Sequence, residues 1–154
     1  MSQTLPAEFV VRPYDEGDLD ALDRIERLAG DACWSRSELE FFASRLDVDV
    51  QVVTAVDAIS HPVGFYAVEH GDQTLYVANI AVAPEWRRRG IGSFALDSLT
   101  EMATSLRYRC IALDVQEENL AAQLLYRKAG FRVVRIRRMH YYRQDGYHMV
   151  KELG

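Results

Sequence analysis

The sequence predicts a mixed α/β (α+β) fold, a layered sandwich around one sheet. Three observations carry this. The hydrophobic period shifts near Val48 from spacings of three and four to β-branched alternation. The run 75–82 is almost continuously apolar, as a central strand would be. That run passes through a proline, three arginines and two glycines into a long amphipathic segment, and another apolar run follows. A strand–helix–strand–helix passage from 75 to 129 should contain a parallel pair. The full order reads β-α-α-β-β-β-α-β-α-β-β within one domain, residues 1–154.

Each element has a local reason. Residues 9–11 form a short apolar run ended by Arg12-Pro13, a first strand. Asp18 is placed to cap the helix that follows, where Leu19, Leu22, Ile25 and Leu28 recur at threes and Gly30 closes the segment. Ser35-Arg36-Ser37-Glu38 is a capping box, with Leu39, Phe42, Ala43 and Leu46 along the inner face behind it. Val48, Val50, Val52 and Val53 mark a strand, 57–62 is turn chemistry, and 63–68 is the next strand. Gly71-Asp72 signals a hairpin into 75–82, expected to be buried on both faces. After Gly90 a stripe of Ile91, Phe94, Ala95, Leu99, Met102, Ala103 and Leu106 predicts a long helix. Residues 110–115 are a further buried strand. Asn119 then caps a helix with Leu120, Leu124 and Leu125 inward, and Gly130 supplies the left-handed residue at its end. Residues 131–136 and the region 147–150 supply the last strands.

Composition narrows the function. A chain of 154 residues can bury a core without staples. A net charge of −5 argues against general nucleic-acid binding. Cys33 and Cys110 lie far apart and outside any metal-ligand spacing, so Cys110 reads as a buried structural thiol and no metal is expected. With no signal peptide or membrane-length run in view, a cytoplasmic setting is the expectation. Asp15, Glu16, Asp18, Asp20 and Asp23 read as a solvated helix face.

The stretch 79–92, Asn79-Ile80-Ala81-Val82-Ala83-Pro84-Glu85-Trp86-Arg87-Arg88-Arg89-Gly90-Ile91-Gly92, reads as strand, turn and helix start. Backbone amides at a helix N-terminus bind anions, and Gly90 and Gly92 remove side chains from their path. No Lys-Ser/Thr follows Gly92 and no third glycine stands at the dinucleotide spacing, so neither common phosphate loop fits. By itself the pattern is equally a glycine turn beside a solvated basic run.

Arg87-x-x-Gly90-x-Gly92 after Ile80-Ala81-Val82 resembles the acetyl-CoA signature of the GCN5-related N-acetyltransferase (GNAT) superfamily. The resemblance continues through Leu113-Asp114-Val115, Asn119 and 125–131. It implies a mostly antiparallel sheet with a central parallel pair and helices on both faces. It implies acetyl-CoA as cosubstrate, with Ile80, Ala81 and Val82 along the pantetheine and Arg87, Arg88, Arg89, Gly90, Ile91, Gly92 and Ser93 around the pyrophosphate. Asn119 and Tyr126 are implied near the pantetheine and sulfur. Within the superfamily the chain is similar to the protein N-terminal acetyltransferases, ribosomal-protein alanine enzymes among them. Trp34-Ser35 resembles their Pro-Trp-Ser, with Cys33 in place of proline. Asn79 matches their central strand. Tyr141-Tyr142, or His140-Tyr141 in a register one residue earlier, falls where those enzymes hold a peptide.

The implied partners are acetyl-CoA and a protein or peptide N-terminus, with no nucleic acid or membrane. Tyr126 is the candidate acid for the leaving thiolate, because a phenol is protonated at neutral pH. Asp114, where the bacterial enzymes carry glutamate, is the candidate base, directly or through water. The lesser alternative is a carboxylate that only binds the substrate ammonium. Tyr76 is a second candidate, or a strand tyrosine packed on a helix. A protein α-amine, about a quarter neutral near pH 7.4, tolerates a weak base better than lysine, about one part in a thousand neutral. Two other readings stay open: acetylation of a small amine (an antibiotic, polyamine or amino acid), and a non-catalytic acyl-CoA-binding module.

Overall fold

The elements form in the anticipated order. The structure is a computed structural model in which residues 8–29, 34–141 and 144–154 are described, 139–141 and 144 by backbone alone. The strands are β1 (Phe9–Pro13), β2 (Val48–Ala55), β3 (Pro62–His70), β4 (Thr74–Val82), β5 (Cys110–Gln116), β6 (Arg132–Tyr141) and β7 (Gln144–Glu152). The helices are α1 (Leu19–Arg27), α2 (Arg36–Ser44), α3 (Ile91–Ser105) and α4 (Leu120–Lys128). One sheet runs β1-β2-β3-β4-β5-β7-β6, antiparallel throughout except at the β4–β5 junction. Expected positions Gly30, Cys33 and Tyr142 lie outside the described residues, as do the side chains of His140 and Tyr141.

The sheet has a core on each face. On one, α3 buries Ile91, Ala95, Leu96, Leu99 and Ala103 against Tyr66, Val68, Leu75, Val77 and Ile111. On the other, Leu22, Ile25 and Leu39 of α1 and α2 meet Val50, Val52, Phe65, Ala67 and Ala81. Alternation along β2 and β3 divides their side chains between the two layers, so each strand is held from both sides.

The parallel pair is short. It joins Thr74, Leu75 and Tyr76 to Cys110, Ile111 and Ala112 and then stops. Beyond it β4 stays with β3 as far as Val82, while β5 stays with β7 as far as Gln116. The two strands therefore part, and a cleft opens between them. A bulge adds to this: Val68 pairs with Val77 and Ala67 with Asn79, leaving Ala78 as an extra residue in β4. The bulge turns Ala78 and Asn79 toward the α1–α2 layer in succession.

Several sequence expectations need correction. β4 is not buried on both faces: Tyr76 is 45% exposed and Ala78, Asn79 and Ile80 are half-buried. Its apolar run serves one core and one open cleft. Asp18 belongs to no solvated face and its side chain does not cap α1. It is buried and takes a two-pronged bond from Arg12, at 2.8 Å on each oxygen, plus the amide of Asp15 at 2.8 Å. Asp15 is the cap of the short 3-10 turn ahead of α1. Leu28, Leu46 and Leu106 lie past their helices and are exposed. In α4 the inward face is Gln123 and Tyr126, whereas Leu120 and Leu124 are exposed and Leu125 is half-buried. Gln123 donates to the carbonyls of Gln116 and Glu117 at 3.1 and 2.9 Å, which satisfies its burial and ties α4 to the end of β5. Cys110 is half-buried beside the Thr74 hydroxyl rather than enclosed.

Candidate active site

The cleft where β4 and β5 part has a volume of about 530 Å³. Its walls include Tyr76 and Asn79 from β4, Asp114 from β5, Asn119 and Tyr126 from α4 and its cap, and Trp34 ahead of α2. The sequence had singled out all six. Past Tyr76, the β5-facing edge of β4 has no strand partner among the described residues, and residues 77–80 line the opening. An extended ligand can hydrogen-bond there as a strand would.

Beyond the cleft, β4 runs on to Val82 and leads into the anion loop. Pro84–Trp86 form a 3-10 turn, and Trp86 meets Phe9 edge-on at 5.9 Å. The three arginines separate in role. Arg87 donates to the Leu28 carbonyl at 3.3 Å. Arg89 lies 4.8 Å over the Trp86 ring. Arg88 adopts a left-handed φ of 64°, and Gly90, at φ 80°, forms the left-handed N-cap of α3. The first turn of α3 has no acidic residue and no side-chain cap, so its leading amides are left for an anion. Ile91 is buried in the core and can offer only its backbone, whereas Ser93 is exposed. Gly92 has a different reason from the one expected. A Cβ there would meet the Leu125 side chain at 2.9 Å, so it faces α4 and permits close helix packing.

Within the cleft stands a carboxylate. Asp114, from β5, accepts from Arg137 Nε at 2.7 Å and from His148 Nδ1 at 2.9 Å, all three lining the cleft. Arg137 stands on β6 and His148 on β7, directly across from Asp114 in the ladder. Tyr126 is 7% exposed and packs on Phe131 with centroids 6.0 Å apart. Asn119 spends its carboxamide oxygen on the Ala122 amide at 3.1 Å, the expected cap, while lining the same cleft. Trp34 stacks on Phe42 at 4.3 Å.

Glu26 was missed. It is 2% exposed, lines the cleft, and accepts the Trp34 amide at 2.6 Å and a bond from the Asn79 side chain. Burial pushes its carboxyl above the usual range, against these two hydrogen bonds. The signal was present: Glu26 sits four residues after Leu22, on the buried phase of α1. Arg137 falls beyond the strand expected over 131–136, which runs on as β6 to Tyr141, and His148 lies in the expected last strand with no motif to single it out.

A profile of the Acetyltransferase (GNAT) family matches residues 19–131, and the chain belongs to that family. It is 31% identical over 130 residues to the [Ribosomal protein bS18]-alanine N-acetyltransferase of Salmonella typhimurium, covering 84% of this chain and 85% of that one. The crystal structure of the ribosomal-protein alanine N-acetyltransferase of Escherichia coli superposes with a TM-score of 0.86 at 24% identity, over 95% of this chain and 94% of that one. Arabidopsis thaliana NAA60 in complex with acetyl-CoA gives 0.82 at 18% identity, over 94% and 98%. The last two establish the shared fold. The chain is an acetyl-CoA-dependent N-acetyltransferase.

Proposed function

We propose that this GNAT-family N-acetyltransferase acetylates the α-amino group of a protein N-terminus by direct attack on the acetyl-CoA thioester. The observation that carries the reading is the parted β4–β5 cleft, lined by Glu26, Asp114 and His148, with β4 leading on from it into a helix-start anion loop. The bS18-alanine acetyltransferase relative supports the acceptor class.

The residues fit acetyl-CoA. Left-handed Arg88 and Gly90 turn the chain so that the amides of Ile91, Gly92 and Ser93 present donors to the pyrophosphate, with Arg87 and Arg89 adding charge from the exposed loop. The open edge of β4 at Ile80, Ala81 and Val82 would pair with the pantetheine. A backbone amide in this run would hold the carbonyl oxygen as charge develops. The cosubstrate supplies a thioester carbonyl with a thiolate leaving group. Tyr126 donates the proton that the thiolate needs. Asp114 supplies negative charge for the incoming ammonium and, with its partners, the route for its proton. Trp34, Asn79 and Tyr76 wall the acceptor's path.

The test is a panel of peptides with free α-amines, including the N-terminal sequence of ribosomal protein bS18, against polyamines, aminoglycosides and free amino acids, read by mass spectrometry. Acetylation at the peptide α-nitrogen is the expected result. Turnover of small amines alone overturns the acceptor assignment, and acetyl-CoA binding without transfer to any amine overturns catalysis.

A further inference from the structure

We propose that His148 is the catalytic base, and that Asp114 acts through it as a positioning residue. The inference rests on the acetyl-transfer reading above. It starts from a mismatch in length. Asp114 is one methylene shorter than a glutamate would be, which limits its own reach to an amine in the cleft. Here the shortened carboxylate does not end the chain of polar groups, because His148 stands directly across the β5–β7 ladder and bonds to it at 2.9 Å.

The partners decide the tautomer. An ionised carboxylate only accepts hydrogen bonds, so the Nδ1 facing Asp114 Oδ1 carries the ring proton. Nε2 then holds the lone pair. Arg137 approaches the same Nδ1 at 3.4 Å, a contact that a nitrogen already donating to Asp114 cannot accept. Its own bond is Nε to Asp114 Oδ1 at 2.7 Å, which fixes the carboxylate. The result is Arg137–Asp114–His148, with the imidazole of His148 lining the cleft and its side chain 13% exposed. A carboxylate that orients an imidazole and balances its charge is the arrangement that makes histidine an effective base. The charged groups against His148 are Asp114 on β5 and Arg135 and Arg137 on β6, while Glu26, Glu69, Tyr76 and Tyr126 line the same cleft.

The step balances. The neutral amine nitrogen bonds to the thioester carbon and loses one proton to His148 Nε2. The C–S bond breaks, and the departing sulfur takes one proton from Tyr126. Solvent then returns both side chains to their starting states.

Two variants test the assignment. His148→Ala removes the ring, and His148→Gln keeps a donor for Asp114 while losing the base. Both should lower kcat about a hundredfold, at the low end of general-base contributions, with acetyl-CoA KM within about threefold. Added imidazole should restore part of the His148→Ala rate. Asp114→Asn should lower kcat alone and add little to His148→Ala, as members of one unit do. Independently of activity, nitrogen NMR of the free protein should report the Nδ1–H tautomer for His148. The variants are read on whichever amine the wild type acetylates. A wild type that ignores peptide α-amines refutes the acceptor reading alone, and one that acetylates nothing refutes both. His148→Gln with kcat near wild type, or the opposite tautomer, refutes the base.

Discussion

The two glycines of the anion loop should fail in different ways when each becomes alanine. Gly90 stands at φ 80°, where a Cβ crowds the neighbouring carbonyl at a cost of about 1–2 kcal/mol. Gly90→Ala must bear that strain or leave the conformation that aims the α3 amides. The strained variant loses folding stability; the relaxed one loses affinity for acetyl-CoA, by about 5- to 30-fold if the whole cost appears there. The two losses, measured by urea unfolding and titration calorimetry, should together total about 1–2 kcal/mol. Gly92 has no such strain. Its added methyl meets the far end of Leu125 at 2.9 Å, next to Tyr126 on α4. Gly92 is the second residue of α3, so alanine there gains less than the roughly 1 kcal/mol of a helix interior, set against the shift of a flexible leucine tip. Gly92→Ala should therefore keep stability within about 1 kcal/mol and acetyl-CoA affinity within about threefold. Its defect should appear in kcat, through displacement of Tyr126. If Gly90→Ala changes neither stability nor affinity, or Gly92→Ala abolishes binding with the fold intact, the division of roles is wrong.

Tyr126→Phe keeps the ring against Phe131 and should lower kcat by about a hundredfold with acetyl-CoA KM little changed, because a thiolate is a modest burden for a general acid; steady-state kinetics decides. Glu26→Gln should alter the pH dependence of stability. The folded carboxyl titrates above its unfolded value, so its ionisation penalises the fold as pH rises from about 4.5 through the folded pKa. In urea titrations the advantage of wild type over Glu26→Gln should shrink from pH 4.5 to pH 8. Asp18 has the opposite sign. Burial pushes its carboxyl up, but the Arg12 guanidinium and the Asp15 amide outweigh that and hold it below the usual range. Its contribution is full above about pH 4 and lost as pH falls through the folded pKa. Asp18→Asn should cost about 1.5–3 kcal/mol at pH 7, the range of a hydrogen bond to a charged group, and flatten the acid limb of stability.

Much of the fold was legible because its signals are local. Ser35 and Glu38 form both halves of the expected capping box, Asn119 caps α4, and Gly130 takes a φ of 100°. The errors came where one pattern serves two environments. Continuous apolar sequence in β4 was read as burial on both faces, yet the same residues form a cleft wall because β5 leaves after Ala112. α4 was phased by its leucines, yet its buried face is Gln123 and Tyr126, held by backbone carbonyls that no periodicity reveals. Asp18 looked like one acid among five, and only its meeting with Arg12 six residues earlier made it a buried ion pair.

The site divides the same way, and the division follows from how each part is assembled. The anion loop is made by consecutive residues, so its chemistry can be read along the chain. The acceptor end is made by three strands whose order in the sheet, β5-β7-β6, differs from their order in sequence. Asp114 meets His148 because β7 inserts beside β5, and meets Arg137 because β6 then pairs outside β7. The β6–β7 register shifts between Val133 and Arg135 and again between Arg137 and Tyr141. A one-residue shift moves a side chain to the other face of a strand. Arg137 is thus brought to Asp114 by strand order and bulges, neither of which is written in residue spacing. The candidate cofactor loop is thus a contiguous motif, whereas the Asp114–Arg137–His148 cluster exists only through long-range pairing.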